Sequence, residues 1–62
     1  MTITIKISTG NAAFEDDASQ EVARILRELA KDMDGHPHFG PGFDVALRDV
    51  NGNKVGHLTI HD

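Results

Sequence analysis

Phe43-Asp44-Val45-Ala46-Leu47-Arg48-Asp49-Val50-Asn51-Gly52-Asn53-Lys54-Val55-Gly56-His57-Leu58-Thr59-Ile60 is the stretch that decides the fold. Apolar and polar residues alternate on both sides of Asn51-Gly52, the period of a half-buried strand. Asn-Gly between two such runs is the strongest short hairpin signal, a type I′ turn with positive φ at both central residues. A two-residue loop there pairs Val50 with Asn53 and Asp49 with Lys54. Leu47 then meets Gly56, Val45 meets Leu58 and Phe43 meets Ile60. The other face sets Arg48 against Val55, Ala46 against His57 and Asp44 against Thr59. Apolar residues oppose apolar residues, and Asp49 opposes Lys54 in charge. A slip of one residue would turn every side chain to the wrong face. The expected strands are 43–50 and 53–60.

Before the hairpin, His36-Pro37-His38-Phe39-Gly40-Pro41-Gly42 reads as a loop, punctuated by proline and glycine. It follows a helix expected over 17–34. Val22, Ile25, Leu26, Leu29 and Met33 form a helical stripe that Ala18 extends. Asp17 with Gln20 three residues on resembles a capping box. Glu15, Asp16 and Asp17 set negative charge at the positive end of the helix dipole. Gly35 can take the left-handed conformation past the last turn, and Pro37 cannot continue the helix. At the start of the chain, Ile3, Ile5 and Ile7 alternate with Thr2, Thr4, Lys6 and Ser8, a strand over 2–8. Residues 9–16 connect it to the helix, with Phe14 as the anchor.

The order β-α-β-β over residues 1–62 describes one domain, a two-layer α+β fold with a three-stranded sheet packed on one helix. Strand directions favour an antiparallel sheet of order 1-3-2. The alternative sets the first strand parallel to the second through a right-handed crossover. The expected core is Ile3, Ile5, Ile7, Phe14, Val22, Ile25, Leu26, Leu29, Met33, Phe43, Val45, Leu47, Leu58 and Ile60.

A chain of 62 residues buries only about 60% of its unfolded surface, which leaves little room for a deep substrate cavity. It has no cysteine, hence no disulfide framework, thiolate metal site or thiol nucleophile. No segment approaches the roughly 20 apolar residues that span a bilayer, and the alternating start is unlike a signal peptide. Ten Asp and Glu against six Lys and Arg leave a net charge of −4. That balance argues against general nucleic-acid binding, which needs a concentrated basic surface.

Few residues offer chemistry. His36 and His38 flank Pro37, and His57 and His61 share the outer face of the last strand. Histidines of one strand face, joined by a loop histidine, could hold zinc or nickel, yet no ligand-spacing motif accompanies them. The glycine-rich loop lacks the Lys-Ser or Lys-Thr of a phosphate-binding loop. Ser8 and Ser19 belong to no nucleophile motif. No catalytic residue, cofactor or resident metal is expected. The acidic cluster Glu15, Asp16 and Asp17 is explained by helix capping, or offers a contact to a basic protein surface. Phe39 is either a plug of the core or an exposed anchor. The outer sheet face, with Lys6, Arg48, His57, Thr59 and His61, reads as neutral to basic. One helix cannot cover both faces of a sheet, so this face and the sheet edges are the largest surfaces free for binding. Strand addition at an edge would also make a homodimer.

Three segments carry a resemblance. The isoleucine/threonine strand leads to Gly10-Asn11-Ala12-Ala13-Phe14-Glu15-Asp16. Glu21-Val22-Ala23-Arg24-Ile25-Leu26-Arg27-Glu28-Leu29-Ala30 follows, and then Leu47-Arg48-Asp49-Val50-Asn51-Gly52-Asn53-Lys54-Val55-Gly56. The chain resembles very small proteins encoded by tailed bacteriophages and prophages, outside the His36–Gly42 loop. The resemblance implies a compact protein in the cytoplasm of a bacterial host, and carries over no catalytic residue. The resulting expectation is a non-enzymatic accessory protein that binds and modulates a host or phage protein complex. Its contact would be the sheet face, the 36–42 loop or the acidic helix entrance. Two alternatives stand beside it: a nucleic-acid-binding module using Lys6, Arg48, His57 and His61, and a histidine-based metal-binding protein.

Overall fold

A computed structural model describes residues 1–62. Strand β1, Thr2–Ile7, leads through a 3-10 turn at Ala12–Phe14 to helix α1, Ala18–Met33, and then to strands β2, Asp44–Arg48, and β3, Lys54–His61. The strands form one antiparallel sheet in the order β1-β3-β2. This is the α+β arrangement of order 1-3-2, and the parallel alternative does not occur. β1 stops at Ile7, one residue short of expectation, and β2 is trimmed at both ends to Asp44–Arg48. β3 begins and ends one residue later than read, at Lys54 and His61.

The hairpin keeps its expected register from Asp44 opposite Thr59 to Leu47 opposite Gly56, then shifts so that Arg48 faces Lys54. The two-residue type I′ turn is not formed. Instead the N–H of Gly52 donates to the Asp49 carbonyl and the N–H of Asp49 to the Asn53 carbonyl, both at 2.9 Å. That leaves three loop residues, Val50, Asn51 and Gly52. Gly52 has φ +85° and no non-glycine residue has positive φ, so Asn51 does not take the left-handed conformation a I′ turn demands. The geometry is a type I turn followed by a left-handed glycine. The expected Asp49–Lys54 pair is absent because Asp49 points inward. Its Oδ1 accepts the N–H groups of Asn51 and Asn53, each at 2.9 Å, and holds the turn shut from within. The extra loop residue is absorbed by a bulge at Val55, and Val55, expected on the outer face, joins the core cluster.

Helix α1 begins where capping rules place it. Asp17 is extended, and its Oδ1 accepts the N–H of Gln20 at 3.1 Å and the hydroxyl of Ser19 at 2.7 Å. It ends at Met33, with Gly35 at φ +73° and the N–H of His36 donating to the Met33 carbonyl at 3.0 Å. The core is Phe14, Ile25, Leu29, Leu47, Val55, Leu58 and Ile60, with Ile7, Ala13, Val22, Met33, Phe43 and Val45 packed around it.

Three residues expected inside are not. Ile3 is 47% exposed, Ile5 42% and Leu26 40%, whereas Leu58 on the neighbouring strand is 0% exposed. A helix is about 10 Å wide and strands lie about 4.8 Å apart, so one helix roofs about two strands. α1 sits nearest β2 and the 3-10 turn. It shelters β2, β3 and the Ile7 end of β1, and leaves Ile3 and Ile5 in the open. The molecule is accordingly elongated, 36 × 19 × 17 Å.

Gly56 allows the strands to close. A Cβ built there would collide with the backbone carbonyl of Lys6 across the β1–β3 ladder, so no other residue fits without pushing β1 away.

Candidate functional site

The backbone of β1 defines one edge of the sheet. The N–H of Ser8 donates to the Val55 carbonyl at 2.8 Å, and the register continues Lys6 opposite His57, Thr4 opposite Thr59 and Thr2 opposite His61. In an antiparallel pair the ladder bonds alternate along a strand. The even residues of β1 therefore spend their N–H and C=O groups on β3, and those of Ile3, Ile5 and Ile7 point away from the sheet. Beside this free edge runs a shallow groove of about 510 Å³, lined by Ile3, Ala30, Met33, Asp34, Gly35 and Phe39. Leu26 lies one helical turn before Ala30 on the same flank of α1. That flank is apolar except for Asp34 just past its end. The charged side chains Arg24, Glu28 and Asp32 lie on the opposite flank and line the cleft toward β2.

The opposite edge, β2, is guarded. It is five residues long, carries Asp44 and Arg48 at its ends, and follows Gly40-Pro41-Gly42. Natural sheets blunt their edges with such charges, prolines and short strands. β1 carries one charge, Lys6, and no proline.

Of the residues expected on the outer sheet face, Lys6 and His57 are direct cross-strand partners, and Thr59 lies between Thr4 and Asp44. His61 sits opposite Thr2, and its Nε2 lies 3.0 Å from the Thr59 hydroxyl. Arg48 turns toward the hairpin tip, donating from Nη1 to the Gly52 carbonyl at 3.1 Å. Asp44 occupies the same face as Thr59. The face therefore holds fewer free cations than its composition implied.

The 36–42 loop is pinned by aromatic contacts. His36 stands edge-on to Phe43 with centroids 4.9 Å apart, and Phe39 packs on Phe43 at 5.6 Å. The N–H of His38 donates to Nδ1 of His36 at 3.1 Å. Phe39, 40% exposed and outside the core cluster, is not a plug of the core: one side rests on Phe43 and the other faces the groove. No three His, Asp or Glu side chains converge as a metal-holding group.

At the helix entrance, Asp17 is consumed by capping, while Glu15 and Asp16 remain exposed. The Ser19 hydroxyl and then the Gln20 N–H hold the Asp17 carboxyl below its ordinary range. Two carboxylates that the sequence did not single out are buried nearby. Glu21 accepts a fork from Arg24 at 2.7 and 3.1 Å and the N–H of Val50 at 2.8 Å. Hydrogen bonding to Arg24 is the main reason its carboxyl is lowered, against the cost of burial. Asp49 also accepts the Asn11 amide at 2.8 Å. Burial pushes the Asp49 carboxyl up, but the N–H and amide of Asn53, the Asn11 amide and the Asn51 N–H together hold it below its usual value. This network ties the 3-10 turn, the helix and the hairpin tip into one joint. The signal for Asp49 was its place two residues before Asn51-Gly52, where an Asp side chain bonds backbone N–H groups further on. Glu21 carried no such signal.

No helix is long and apolar enough to cross a membrane. Compared with known proteins, the chain matches no family model, no curated protein and no solved structure.

Proposed function

We propose that the chain is a small non-enzymatic accessory protein of the phage type. It binds and modulates a host or phage protein complex in the cytoplasm of a bacterial host, and its contact runs along β1. The observation that carries this reading is the combination at β1 of unspent backbone groups with an exposed isoleucine row. Main-chain bonds of an added strand supply affinity, and pockets for alternate side chains supply selectivity. The groove beside Ile3 and Phe39 offers such a pocket. Several polar groups elsewhere are engaged in building the fold: Asp17 caps, Glu21 and Asp49 lock the hairpin, and Arg48 braces the turn.

The test is capture from bacterial lysate by the wild-type chain and by Ile3→Lys, with crosslinking from Lys6. Proteins retained by the wild type, lost by the variant and crosslinked at β1 support the reading. Equal retention by both chains overturns it.

A further inference from the structure

We infer that the β1 edge is occupied by a second copy of this chain, in a two-fold dimer whose sheet runs continuously through both copies. The inference rests on the reading of β1 as the docking edge and names what fills it.

Self-complementarity of the strand is the first argument. In an antiparallel pair, residues directly opposite lie on the same face, so an apolar row meets an apolar row only if odd residues oppose odd residues. A two-fold axis through Thr4 sets Ile3 against Ile5 of the second copy and Lys6 against Thr2. An axis through Ile5 sets Ile5 against itself and Lys6 against Thr4. Both registers use the outward N–H and C=O groups of Ile3 and Ile5, and neither brings Lys6 against its own copy.

The second argument is charge. A chain of net charge −4 resists its own approach. However, Met1–Phe14 contains no Asp or Glu, and the charged flank of α1 faces β2. The two acidic copies meet through the least acidic part of the molecule, where Asp34 is the one carboxylate lining the groove.

The third argument is area. A standard interface takes about 800 Å² from each partner, roughly a fifth of the 4232 Å² this chain exposes. The strand edge supplies part of this area. More comes from the exposed faces of Ile3, Ile5, Leu26 and Phe39 on the helix side of β1, where the second copy's helix and isoleucines arrive. One edge can hold one strand, so the dimer and a target compete for β1, and self-association keeps the edge covered until a target strand replaces the second copy.

Sedimentation of the purified chain tests this. The expected result is a species of twice the 6.7 kDa chain mass, reduced to a single chain by Ile5→Pro and by Ile3→Lys with unchanged far-ultraviolet circular dichroism. Proline is suited to position 5 because that N–H faces away from β3, and edge strands accept proline there. Hydrogen exchange of the wild type reads the same interface without substitution: the Ile3, Ile5 and Ile7 amides gain protection at high protein concentration and lose it on dilution. A wild-type chain that stays monomeric at millimolar concentration overturns the second copy as occupant and leaves strand addition by a target standing. A dimer that survives both substitutions, with those three amides unprotected, overturns both.

Discussion

At the scale of single residues, Asp49 and Gly56 decide more than their positions in the sequence suggest. Asp49 and Glu21 titrate lower in the folded chain than in the unfolded one. A lowered carboxyl contributes stability that is fully present above its unfolded value, near pH 4, and is lost as pH falls through the folded value. The melting temperature is therefore expected to fall on acidification below about pH 4. In Asp49→Asn combined with Glu21→Gln it should start lower at neutral pH and decline less over that range. Parallel curves for the two chains would refute the role of these carboxylates. Gly56→Ala sets a methyl group against the Lys6 carbonyl. It is expected to cost more than the roughly 1–3 kcal/mol of ordinary overpacking, as measured by urea unfolding. Gly10→Ala, with open space around it, serves as the control. Gly56 carries no sequence signal of its own, and the signal at Asp49 is masked by a competing one. Asp49 looked like the cross-strand partner of Lys54, because pairing rules assume a regular turn and cannot see a carboxylate folding back on its own loop. Gly56 reads only as the cross-strand partner of Leu47, because the close approach that requires glycine belongs to a strand some fifty residues away.

Secondary-structure elements were legible wherever one periodicity dominated. Strands β1, β2 and β3 and helix α1 all lie where alternation or the helical stripe placed them, with ends moved by one or two residues. The cap is a local motif, and Asp17 performs it as read. Asp17→Ala is expected to lower the melting temperature by roughly 4–8 °C, and Asp17→Asn to restore most of it. Periodicity assigns a residue to a face but says nothing about how far a neighbouring element reaches over that face. Leu26 and Leu29 look alike in the stripe, yet Leu29 is 2% exposed and Leu26 40%. Leu29→Ala should cost about 2–5 kcal/mol, and Leu26→Ala about 1 kcal/mol or less in dilute solution, both read from denaturant midpoints. Equal losses would mean that the helix sits squarely over all three strands.

For the whole molecule, the uncovered side of β1 is the feature that the order of elements alone did not disclose. Counting one helix against three strands already implies a shortfall of cover. Which strand is left open depends on where the 3-10 turn and the Glu21–Asp49 joint anchor α1. If the open side is closed by a second copy, the melting temperature rises with protein concentration in the wild type and stays constant in Ile5→Pro. A concentration-independent wild type would contradict that closure. The strand order also bears on how the chain is made. β3 is the middle strand and the only one that bonds both others, yet its residues leave the ribosome after β1, α1 and β2. At about 5–20 residues per second, β1 waits on the order of 3–12 seconds before Thr2 can meet His61. During that interval its isoleucines are bare on both edges. Nascent β1 thus waits longest for its partner, and substitutions that make it more apolar should be felt first as lost yield in the cell rather than as lost stability in the tube.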